Sequence, residues 1–104
     1  MNIIRPEPLK LRVWWIPQVP MESFKVEVRS LREAKLLLDT LAEYDQFQLN
    51  HHIKPDYSNT GGVQVFNEDD DGEWTDWWSN DYEEFDDLTD EQIDKIDREL
   101  GYVT

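Results

Sequence analysis

The chain has 104 residues, with 24 acidic against 10 basic side chains, a formal charge of −14 and no cysteine. It is long enough for one hydrophobic core and short for two, so a single acidic domain is expected. Without cysteine there is no disulfide, thiol nucleophile or thiolate metal site.

No stretch approaches the ~20 apolar residues of a membrane span. The opening residues lack the apolar core of a signal peptide, so a soluble cytoplasmic protein without membrane insertion is expected.

Residues 9–15 alternate: Leu9, Leu11, Val13 and Trp15 share one face, and Lys10, Arg12 and Trp14 the other. Period two predicts a half-buried strand. Pro17 and Pro20 interrupt the ladder. Residues 24–28 alternate again, placing Phe24, Val26 and Val28 inward. The two strands should pair antiparallel.

Ser30 and Glu33 form a capping box at the start of a helix. Leu31, Ala34, Leu37, Leu38 and Leu41 follow at helical spacing, with Tyr44 continuing that face, and the helix should run over 31–45. Together with Leu11, Val13, Trp15 and the three inward residues of the second strand they form the expected core. Residues 46–62 read as irregular, because 56–62 are rich in turn formers, Gly61 and Gly62 included. Val63, Val65 and Phe66 suggest a strand, Asp69, Asp70, Asp71 and Gly72 a turn, and residues 73–78 the returning strand. A second helix starts at Thr89, boxed with Gln92 and stapled by Leu88 and Ile93. Its stripe is Ile93, Ile96 and Leu100, and Gly101 should cap it. The order ββαββα predicts an α+β fold, a small antiparallel sheet with two helices.

Charge is unevenly placed. Residues 1–64 carry eight acids and eight bases, and residues 65–104 sixteen acids and two bases, so the whole net charge lies in the last forty. That segment also holds Trp74, Trp77, Trp78, Phe66, Phe85, Tyr82 and Tyr102. Disordered acidic tails are poor in aromatics, so the segment should fold.

Few residues suggest chemistry. Asn67, Asp69, Asp71 and Gly72 match the first half of a calcium loop, but position 12 is Trp78 where a bidentate Glu is required. A solvated turn without tight calcium affinity follows. His51 and His52 are the only histidines, and adjacent extended residues point apart, so a metal site is not expected. There is no G-x-S-x-G elbow and no phosphate-cradling glycine loop, so no catalytic residue is assigned and an enzyme is not expected. No cofactor is implied.

The five tryptophans are the other excess. Neighbours in a strand cannot face one core, so Trp14 and one of Trp77 and Trp78 should lie opposite the buried rings. Exposed Trp beside acids suits a protein-binding surface. The candidate binding residues are Trp14, Trp77, Trp78, Asp86, Asp87, Asp90, Glu91 and Asp94, and the expected partner is a protein with a basic surface. Direct nucleic-acid binding needs a basic groove, which a charge of −14 disfavours.

The segments WWIPQVPM (14–21) and KPDYSNTGG (54–62), within a similarity over residues 9–78, resemble a small family encoded by tailed phages and prophages and associated with superinfection exclusion. The resemblance implies a phage accessory protein that binds a host or competing-phage component. It carries no catalytic residues. Two other readings stay open: a small ligand-sequestering or catalytic domain with a pocket near His51, His52, Asp56 and Tyr57, and a virion or assembly component whose exposed Trp face is buried in an oligomer. The sequence does not set the oligomeric state.

Overall fold

In a computed structural model, residues 8–53, 58–67 and 72–102 are described. The elements follow the expected order: β1 (Leu11–Ile16), β2 (Phe24–Val28), α1 (Leu31–Asn50), β3 (Thr60–Asn67), β4 (Glu73–Asp76), a 3-10 turn at Phe85–Asp87, and α2 (Asp90–Leu100). The strands form one antiparallel sheet in the order β2-β1-β3-β4. The fold is α+β.

Alternation in β1 sends Leu11, Val13 and Trp15 into the core, where they meet Leu31, Ala34 and Leu38 of α1, Val63 of β3 and Ile93 of α2. Trp77, Phe85 and Leu88 complete the core from the segment between β4 and α2.

Both helix starts are capped, the second by the full box expected and the first by half of one, since the Glu33 carboxylate accepts from the Arg29 N–H and not from that of Ser30. The Ser30 hydroxyl accepts from the Glu33 N–H, and Thr89 and Gln92 exchange both bonds of a capping box. The staple residues Leu88 and Ile93 are both buried, and Gly101 ends α2 in the left-handed conformation at φ 83°.

Three expectations need correction. Of the inward set on β2, only Val28 packs on the core; Val26 is half-buried and Phe24 is 55% exposed. β2 is an edge strand and α1 packs chiefly on β1, so the far end of β2 lies beyond the helix. α1 extends to Asn50, and Asp45 rather than Tyr44 occupies the inward position of its last turns. At ~100° per residue, Tyr44 has rotated off the stripe that runs through Leu31, Ala34 and Leu38.

The third correction concerns Gly61 and Gly62, which are strand residues and not turn residues. They pair with Trp15 and Trp14 in register. A Cβ at Gly61 would collide with the Trp15 ring, and one at Gly62 would lie 2.9 Å from Trp14 Nε1. Consecutive glycines thus give two consecutive indoles room on opposite faces of the sheet.

The β3–β4 hairpin forms as expected, with Phe66 opposite Trp74, Asn67 opposite Glu73, and Gly72 at φ 71°. The acidic turn proposed as a partial calcium loop falls mostly on residues 68–71, outside the described residues.

Candidate functional site

The site grows from the way the chain leaves β4. The Trp77 N–H still donates to Val63 O at 3.0 Å, continuing the ladder one residue past the strand. Its ring enters the core, edge-to-face on Phe85 with centroids 6.1 Å apart. The next residue must then point the other way, and Trp78 is 50% exposed.

A tight turn holds Trp78 there. Ser79 N–H donates to Glu83 O, Tyr82 N–H donates to Ser79 O, and Ser79 Oγ accepts from the N–H groups of Asp81 and Glu83. Trp78 also bridges backbone-to-backbone with Glu84.

Trp78 borders two depressions. The larger, an open groove of about 820 Å³, has an apolar floor that includes Leu9, Val65, Leu88, Ile96 and Tyr102. The smaller, about 190 Å³, lies between Trp14, Gly62 and Phe85. The charged side chains lining the two are Asp76, Asp81, Glu83, Glu84, Asp86 and Glu99, against Lys95 alone. Fields from one sign of charge concentrate in such clefts.

α2 divides its charges between two tasks. Gln92, Lys95, Ile96 and Glu99 stand on the groove side. Asp90, Asp94 and Asp97, roughly half a turn away, face α1. Arg32 of α1 pairs with Asp90 at 3.0 Å and with Asp94 at 3.9 Å. Asp97 is buried, and its carboxylate accepts from the N–H groups of Leu31 at 2.8 Å and Arg32 at 3.0 Å. These are first-turn donors that α1 cannot satisfy itself. Burial raises the Asp97 pKa above its usual value, against the opposing pull of those two N–H groups.

Tyr102 closes the far end of the groove and donates its hydroxyl to Leu9 O at 2.6 Å. Burial, aided by the charge of Asp97, pushes its phenol up to about 12.

The structure therefore gathers Trp14, Trp77, Trp78 and Asp86 around the small groove, with Trp77 facing the core. Asp87 and Glu91 are exposed nearby in sequence, and Asp90 and Asp94 are engaged with Arg32. Sequence reading missed Asp97 and Tyr102. Asp97 falls on the same helical side as Ile93, and an acid on a buried stripe was the available signal.

The alternative pocket gains little. His51 caps α1, its ring stacked on Phe47 at 4.1 Å and Nδ1 2.8 Å from Phe47 O. His52 turns away at φ 58°, and Asp56 and Tyr57 lie outside the described residues. Among the described residues no three His, Cys, Asp or Glu side chains converge to hold a metal. No helix among them is long and apolar enough to cross a membrane.

Residues 10–98, spanning the sheet, α1, most of α2 and most of the groove lining, match the family described as superinfection exclusion gene product 17. The chain belongs to this family. It is also 48% identical over 81 residues to the superinfection exclusion protein of Salmonella phage P22, a match that covers 68% of this chain and 79% of that protein. No solved structure matches it.

Proposed function

We propose that this chain serves superinfection exclusion as a binding protein and not as an enzyme. Its target is a protein with a basic surface, supplied by the host or by the competing phage and met in the host cytoplasm. Trp78 is the anchor, and the acid-lined grooves on either side of it receive the partner's Lys and Arg side chains. The carrying observation is the half-exposed indole standing between two depressions whose charged lining, among the described residues, is acidic except for Lys95.

An exposed Trp beside a groove is the residue type that dominates binding energy at protein interfaces. Complementary charge accelerates encounter and rejects acidic competitors. The same field repels phosphate backbones, while a protein site that normally meets DNA carries the charge this face complements.

Two variants test the reading in cells that express the protein and are challenged with a second phage. Trp78→Ala removes the anchor, and Asp81→Asn/Glu84→Gln/Asp86→Asn removes groove charge. Both should restore plating of the challenger, since truncating an anchoring Trp costs about 2 kcal/mol or more of binding. Folded variants that still exclude fully would overturn it.

A further inference from the structure

We propose that β2 is a homodimerisation edge, through which two copies of the chain join antiparallel into one eight-stranded sheet. The sheet has two edges, β2 and β4. β4 spans only Glu73–Asp76 and carries two acids and no base, so two β4 edges repel. β2 is guarded as an edge only by its shortness and by Lys25 and Glu27, a pair of opposite charges, and among the described residues no other strand covers it. It contains no proline and pairs one-to-one with β1 over its whole length. It also presents apolar area, because Phe24 is 55% exposed.

The sequence of β2, FKVEV, is complementary to itself when reversed. A two-fold axis at Val26 sets Phe24 against Val28 of the second copy, Val26 against Val26, and Lys25 against Glu27. Each interface then gains two cross-strand ion pairs on one face and a continuous apolar row on the other. Centring the axis one residue either way places Lys25 against Lys25 or Glu27 against Glu27, so charge selects the register.

The topology also answers the objection that chains of −14 should repel. The net charge belongs to residues 65–104; β4 lies at the opposite edge from β2, and the α2 acids that pack on the start of α1, Asp90, Asp94 and Asp97, are already held by Arg32 and by the N–H groups of Leu31 and Arg32. Joined through β2, the two β4 strands are separated by seven strand spacings, about 34 Å at ~4.8 Å each. That is about four Debye lengths at physiological salt. No residue of β2 lines either groove, so the proposal does not depend on what they bind.

Sedimentation equilibrium on the full chain tests it. The wild type should be dimeric at ~0.1 mM. Lys25→Glu and Glu27→Lys, each alone, place like charges opposite and should weaken the dimer by about tenfold or more. Mixed one to one, these two variants carry complementary edges and should recover a mixed dimer, which also shows that both fold. Phe24→Ser should weaken the dimer while leaving the circular dichroism unchanged, because the ring lies largely outside the core. A wild type that is monomeric at that concentration, reversals that leave the dimer intact, or a mixture that stays monomeric would each overturn the proposal.

Discussion

Replacing Asp97 with Ala should destabilise the protein far more than the removal of an exposed acid of the same helix. The carboxylate accepts from Leu31 N–H at 2.8 Å and Arg32 N–H at 3.0 Å. Leu31 is fully buried, so water does not replace the lost acceptor there. A hydrogen bond to a charged group contributes about 1.5–3 kcal/mol, and a buried donor left unpaired costs about 1–3. Against this stands the relief of an expensive burial, visible in the raised pKa of Asp97. Two bonds lost, less that relief, leave a net loss of about 2–4 kcal/mol. With a urea dependence of ~1–1.5 kcal/mol per molar for a chain this size, the unfolding midpoint should fall by about 2 M. Tryptophan fluorescence reports the transition, since Trp15 and Trp77 are buried. Glu91→Gln, at an exposed position of the same helix, is the control for simple charge relief and should stay within about 0.5 kcal/mol. A loss under about 0.5 kcal/mol for Asp97→Ala would refute the idea that α2 caps α1 through this side chain.

Gly61→Ala should cost about 1–3 kcal/mol by overpacking against the Trp15 ring, while Gly62→Ala should cost less, because the half-buried Trp14 ring can shift; equal losses in thermal melts would contradict the packing. Tyr102 ionises near 10 in the unfolded chain and at about 12 when folded. Between those values the folded state keeps a proton that the unfolded state has released, so stability falls as pH rises from 10 to 12; Tyr102→Phe should abolish that fall while costing about 0.5–1.5 kcal/mol at neutral pH for the lost bond to Leu9 O. Asp90→Asn/Asp94→Asn should change stability by less than about 1 kcal/mol, since exposed ion pairs with Arg32 contribute little, and should leave exclusion nearly intact, unlike the groove variants.

What the sequence made legible follows from how locally each feature is encoded. The helix starts are written in four residues each: Thr89 with Gln92 formed its whole box, and the Ser30 hydroxyl capped the Glu33 N–H while the Glu33 side chain reached Arg29 N–H one residue further back. β1 and the β3–β4 hairpin rest on alternation and one turn glycine, and they too formed. Apart from the length and phase of the end of α1, the failures were questions of what lies across the sheet. Phe24 alternates as an inward residue, yet burial needs a helix above it, and α1 sits over β1. Gly61 and Gly62 carry turn chemistry when read alone. Only their register against Trp15 and Trp14, 46 and 48 residues earlier in the chain, makes them the space two indoles need.

The candidate site was legible as a region and not as a geometry. Charge counting located the acidic half, and pleat alternation showed that Trp77 and Trp78 must diverge; which ring turned inward depended on Phe85, eight residues away, as its edge-to-face partner. The acids of α2 looked equivalent in sequence because like charges four apart suggest one solvated face. Folding divides them by helical phase: Asp90, Asp94 and Asp97 bind α1 together through Arg32 and two backbone donors, and Glu99 faces the groove. An acidic helix packed by its acids stores little repulsion on that side, because cationic and N–H partners are built in. On its other side α2 turns Lys95 and Glu99, paired at 3.9 Å, toward the large groove, so the helix meets α1 through acids that have partners and leaves the remaining acids of the two grooves to the residues around Trp78.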